Sequence, residues 1–144
     1  MKPAAHVITS AAAGSAAYFC TNSLTVALTC LLSGIFIDLD HLLDFLVFEK
    51  NPFNLKAFLS WCYQIKGRKA YLVLHSYELY LLLLITASLF PGAIFTGLLL
   101  GVGLHLFLDQ VGNKNLHKYF YFLTYRYKVN FQNTVLTTRP VNPC

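Results

Sequence analysis

The sequence predicts an all-α integral membrane protein: a bundle of four transmembrane helices, a short interfacial helix between spans two and three, and a basic aromatic C-terminal tail. Three observations carry that expectation. Hydrophobic residues make up 56% of the chain and charged ones only 12%, against about 25% charged in an ordinary soluble domain. The mean hydropathy is +0.54. The cationic residues are confined to particular connections between the apolar segments. A length of 144 residues fits one domain and hardly two.

The elements follow in order. A span needs about 20 predominantly apolar residues. Span one runs from Ala4 to Cys20, rich in Ala, Gly and Ser, residues that let helices approach closely. A polar turn, Thr21 to Ser23, precedes span two at Leu24 to Phe48. The stretch Glu49 to Lys69 contains a turn at Asn51-Pro52, an amphipathic interfacial helix expected over Phe53 to Ile65, and a break at Gly67. Span three covers Tyr71 to Phe90, Pro91-Gly92 makes a tight turn, and span four covers Ala93 to Asp109. From Gly112 the composition shifts to Lys, Asn, Tyr and Phe. The expected organisation is therefore a membrane domain at 1–112 and a cytoplasmic or interfacial tail at 113–144. No cleavable signal peptide is expected, because "AAHVITSAAAGSAAYF" contains a histidine and lacks a Leu-rich core.

All eleven Lys and Arg residues precede span one, separate spans two and three, or follow span four. The other two connections contain none. The positive-inside rule then makes this side cytoplasmic, with both termini inside. A net charge of +5 would suggest nucleic acid in a soluble protein. Here the run "HKYFYFLTYRYK" reads instead as an interfacial anchor facing anionic lipid, and no nucleic acid is expected. His117, within that run, and Glu49, beside Lys50, read as interfacial groups. The four cysteines lack CxxC spacing, which argues against a cysteine zinc site.

Five of the six acids (Asp38, Asp40, Asp44, Glu78 and Asp109) and four of the five histidines (His6, His41, His75 and His105) fall inside the expected spans. Each costs about 2.5–3.5 kcal/mol at a span centre on insertion scales, so such groups usually mark function. The topology set by Lys and Arg brings all nine to the cytoplasmic half, from four helices. Their spacing pairs them on helix faces: Asp38 with His41 and His75 with Glu78 at i,i+3, and Asp40 with Asp44 and His105 with Asp109 at i,i+4. Leu39, Leu42 and Leu43 occupy the opposite arc of span two.

Imidazoles and carboxylates converging from several helices are how bundles build metal sites. The donor set suits a divalent metal, zinc first, with Mn, Fe or Mg as alternatives. It is large enough for two or three ions, as in sites that hydrolyse phosphoesters with a metal-activated water. Two other readings stand beside this one. One is a cation or proton conduit. The other is a non-enzymatic cluster that stabilises an interaction or regulatory module. His6 also reads as an interfacial residue, Asp109 as a helix-end group, and Asp44 as a carboxylate accepting a hydrogen bond from a liganding His.

The segments "DLDH" (Asp38–His41), "LHSYE" (Leu74–Glu78) and "HLFLD" (His105–Asp109), after the early His6, resemble the YdjM-like membrane-bound metal-dependent hydrolases. These are bacterial or archaeal inner-membrane proteins, distantly similar to zinc-dependent phospholipase C and single-strand nucleases. The resemblance spans about residues 1–112. Ile37 stands where the family usually has Pro. The resemblance implies hydrolysis of a phosphoester or phospholipid at the cytoplasmic membrane face. It implies His6, Asp38, His41, His75, His105 and Asp109 as metal ligands, with Asp40 or Glu78 completing the ligand set or serving as general base. Arg68 and Lys69 would contact phosphate, with membrane lipid as the surrounding partner.

Overall fold

A computed structural model describes residues 3–48 and 69–138, with Asn54 and Phe58 between them. The described chain is helical. Helix α1 spans Pro3–Thr21, α2 Leu24–Phe36 and α3 Leu39–Phe48. Helix α4 spans Tyr77–Leu89, α5 Ala93–Gly112, α6 Leu123–Lys128 and α7 Asn133–Leu136. Two helices are long and apolar enough to cross a membrane: Leu24–Val47, counted through its internal break, and Ala93–Gly112. Helix α4 is apolar but has only 13 residues. The Ala- and Ser-rich α1 is less apolar than either of the two long segments.

Small residues at helical spacing decide the packing. Helix α2 packs chiefly against α5 and α1, and α5 also meets α4. On α5 the buried positions Gly97, Gly101, His105 and Asp109 recur every four residues, so they form one stripe. Its glycine half faces α2. A Cβ at Gly97 would meet the Thr29 side chain and, at 2.6 Å, the Val26 carbonyl. A Cβ at Gly101 would meet the Ser33 side chain and, at 3.0 Å, the Gly34 nitrogen. Close backbone approach of this kind needs residues without side chains. The His105–Asp109 half of the stripe then continues into the polar cluster. On α1, His6, Ser10, Gly14 and Ala17 are the matching buried row. Large apolar residues such as Leu24, Leu28, Leu32, Phe36, Leu39 and Leu43 form an exposed stripe along α2 and α3.

The structure departs from the sequence expectation at three places. Span two breaks at Ile37–Asp38, where Asp38 N–H donates to the Ile35 carbonyl and His41 N–H to the Asp38 carbonyl. These are tight i→i−3 bonds, which re-aim the helix between α2 and α3. Span three starts at Tyr77, not Tyr71. Ser76 caps α4, its hydroxyl accepting from Leu79 N–H at 3.4 Å, as an extended N-cap serine does. Residues 70–76 therefore form a non-helical approach, with Leu72 at φ 40°.

The third departure is the expected tail. Phe120, Tyr121 and Leu136 are buried in one cluster with Ile37, Ala70, Leu72 and Leu106. Backbone bonds fasten the segment down: Ala70 N–H to Phe131 O, Tyr77 N–H to Tyr121 O and His117 N–H to Leu136 O. It is a cap sharing the core of the helices, and half of the aromatic run points inward. The interfacial helix expected over Phe53–Ile65 lies outside the described residues, apart from Asn54 and Phe58. There Phe58 N–H donates to the Asn54 carbonyl, and the Phe58 ring packs on Phe45.

Candidate metal centre

The polar cluster is assembled by α1, α3, α5 and the 70–76 approach. His75 and His105 stand at its middle, with their Nε2 atoms 3.1 Å apart. The opposite nitrogen of each ring is committed. His75 Nδ1 lies 2.9 Å from Asp40 Oδ1, and His105 Nδ1 lies 2.8 Å from the Gly34 carbonyl. A carboxylate and a carbonyl only accept, so both Nδ1 atoms carry the proton. Both Nε2 lone pairs therefore face the same point. Asp38 Oδ1 lies 3.4 Å from His75 Nε2 and 3.5 Å from His105 Nε2. Asp109 Oδ2 lies 3.6 and 3.7 Å from the same two nitrogens.

His6 and His41 close the two ends. His6 Nε2 lies 3.1 Å from Asp109 Oδ1, and its ring stacks on His105 with centroids 4.1 Å apart. Its Nδ1 is buried without a hydrogen-bond partner. His41 Nε2 lies 3.8 Å from Asp38 Oδ1, and its ring meets His75 edge-on. The donors fall into two groups that could each hold a metal ion: His6, His105 and Asp109, and Asp38, His41 and His75.

All six residues expected as ligands are thus brought together. Three other assignments change. Asp40 was expected as a ligand or base, but its Oδ1 faces His75 Nδ1 while its Oδ2 accepts Leu74 N–H at 2.9 Å and His75 N–H at 3.2 Å. It orients His75, as carboxylates behind metal-binding histidines do. Glu78 leaves the cluster altogether. Its carboxylate accepts from Leu123 N–H, Thr124 N–H and Thr124 Oγ1 at 2.7–2.9 Å, capping α6. The reason is Ser76: by starting α4 after His75, it breaks the helical i,i+3 relation between His75 and Glu78. Asp44 Oδ2 accepts Tyr71 N–H at 2.8 Å rather than a histidine N–H, so it anchors the approach that carries His75.

Lys69 turns to Asn130 Oδ1, 3.2 Å away, and its backbone bridges to Gln132. That places its ammonium on the cap. Arg68 lies outside the described residues.

Arg126 is a site residue that sequence reasoning assigned to the interfacial anchor. It is fully buried. Its Nη1 donates to the carbonyls of Tyr71 and Leu72 at 2.6 and 2.7 Å, and its Nη2 to the His75 carbonyl at 2.9 Å. The Phe120 ring lies beneath the guanidinium. Burial pushes the Arg126 pKa down from its usual value, while the charges of Asp40, Glu78 and Asp44 oppose that shift. Tyr121 is the other missed neighbour. Burial pushes its phenol well above its ordinary range, reinforced by the Asp109 charge. It stays neutral and accepts from Asn113 Nδ2 at 2.9 Å.

No protein-family model, curated protein or solved structure matches the chain. Fold and site define a class: an all-helical protein with a buried His/Asp cluster able to hold a metal ion, and two helices able to cross a membrane.

Proposed function

We propose that this protein is a membrane-bound metal-dependent hydrolase acting on a phosphoester, with a two-ion site at the cytoplasmic membrane face. The reading includes four membrane-traversing helices, both termini in the cytoplasm, and kinship with the YdjM-like hydrolases. One observation carries it. Two imidazoles with committed Nδ1–H groups turn their Nε2 lone pairs on each other at 3.1 Å, between the carboxylates of Asp38 and Asp109. Facing lone pairs and buried carboxylates both call for positive charge. The donors fit a divalent cation: neutral imidazole and carboxylate, each histidine ring held from behind. The buried, unpartnered His6 Nδ1 marks a further donor in the same cluster. Zinc suits this set, and manganese or iron shares its chemistry.

His6, His105 and Asp109 would hold one ion, and Asp38, His41 and His75 the other. Bound cations would supply charge to a phosphoryl oxygen and a nucleophilic water at neutral pH. The chain does the rest. Asp40 and the Gly34 carbonyl fix the tautomers of His75 and His105. Asp38, with both oxygens at the edge of the cluster and a partly exposed side chain, accepts the proton from the attacking water. The buried walls exclude bulk water from His75, His105 and Asp109.

Metal analysis of detergent-purified protein tests the reading, with His105→Ala and Asp109→Ala alongside. Wild type is expected to carry bound zinc, manganese or iron, and each variant to lose it. Hydrolysis of bis(p-nitrophenyl) phosphate is expected for wild type and not for Asp38→Asn. Metal content that is the same in wild type and both variants overturns the metal assignment. Metal without turnover on any phosphoester leaves a non-enzymatic, metal-stabilised module.

A further inference from the structure

Access to the cluster is one-sided. The side chains of His75, His105, Asp109, His6 and Asp40 are each 5% exposed or less. Asp38 is 31% exposed and His41 16%. The flank beside Ile37, Leu72 and Leu106 is closed, because Phe120, Tyr121 and Leu136 of the cap pack there. Arg126 fills the space under the 71–75 approach. The remaining opening lies where α3 faces that approach. Its rim is apolar and exposed: Leu39 and Leu43 on α3, Val73 and Leu74 on the approach. Leu39 and Leu43 continue the exposed apolar stripe of a segment long enough to cross a bilayer.

We infer that the site takes its substrate sideways from the bilayer, and that the phosphoester it cleaves belongs to a lipid whose chains lie along Leu39, Leu43 and Leu74. A water-soluble phosphoester would gain nothing from this rim. A lipid keeps its chains in the apolar stripe while its phosphate meets Asp38 and His41, the only exposed donors among the described residues of the cluster. The reaction is a hydrolysis. The oxygen of water bonds to phosphorus, the ester P–O bond breaks, and the proton from water ends on the departing oxygen. This inference rests on the hydrolase reading above and narrows its substrate class.

The test uses full-length protein, loaded with Co²⁺ and held in zwitterionic nanodiscs, with the cobalt absorption band reporting phosphate binding. The probes are dioleoyl phosphatidic acid and glycerol 3-phosphate, which share a phosphate monoester and differ in chains. Phosphatidic acid is expected to reach half-saturation at least about tenfold earlier, since each buried CH₂ adds affinity. The double variant Leu39→Asn/Leu43→Asn, altered only at exposed positions, is expected to lose about tenfold for the lipid and nothing for glycerol 3-phosphate. Its cobalt content should match wild type. Equal half-saturation by the two probes, or a response to neither, overturns the inference while the metal site stands. Failure to take up cobalt overturns the hydrolase reading itself.

Discussion

At the residue scale, the cluster separates groups that can touch a metal from groups that hold them in place. Asp40 shows the difference. Its two oxygens serve one imidazole N–H and two backbone N–H groups, so its work is done through His75. Asp40→Asn keeps the shape and removes the charge. Metal affinity, read by chelator competition, should fall about 10–100-fold, without the complete loss expected of His105→Ala. Arg126 acts one step further out. It serves three carbonyls with one buried guanidinium and holds Leu72 in a left-handed conformation that a leucine disfavours. Arg126→Ala leaves those carbonyls unpaired in a buried setting. It should cost about 3 kcal/mol or more, read as a lowered Tm in detergent. An unchanged Tm would remove the bracing role. Asp38, Asp40 and His41 were legible from their spacing in "DLDH". Arg126 was not, because a guanidinium in a basic aromatic run reads as a surface charge until its burial is known.

At the scale of elements, helix boundaries decided which side chains converge. Span four was read correctly through the site: Gly97, Gly101, His105 and Asp109 share one face, and helical periodicity alone predicts that. Span three was misread at its start. Ser76 begins α4 six residues later than hydropathy suggests, since Tyr71 to Leu74 are as apolar as a helix interior. Glu78 thereby becomes the cap of α6. Glu78→Ala should cost about 1 kcal/mol, a typical cap loss, and leave the metal content untouched. Loss of metal in that variant would restore Glu78 as a ligand. The α2–α5 contact makes a sharper demand. Gly101→Val pushes a side chain into Ser33 and the Cys30 carbonyl, beside the Gly34 carbonyl that orients His105. An overpacking cost of about 1–3 kcal/mol is expected, together with weakened metal binding in the same preparation.

At the scale of the whole molecule, the cap and the helices form one body. Phe120, Tyr121, Leu136 and Arg126 close one flank of the cluster and brace its loop. A chain ended after Asn113 should therefore lose metal as well as stability, although every proposed ligand remains. Metal retention by that truncated chain would show the cap to be dispensable. The orientation proposed for the molecule is separable from the site. A fluorescent protein fused after Cys144 should fold and emit in the cytoplasm, whereas a fusion that is active only outside reverses the orientation.

The sequence by itself determined the helical class, the polar cluster and its six ligand candidates. Those depend on composition and on residues three or four apart along a helix, which local periodicity encodes. Tertiary structure alone decided the roles within the cluster. That His75 sits on a loop held by Asp40, Asp44 and Arg126 depends on contacts across 27 to 51 residues of chain, and no local pattern records them. The exposed edge at Asp38 and His41 is likewise what remains after distant segments have packed.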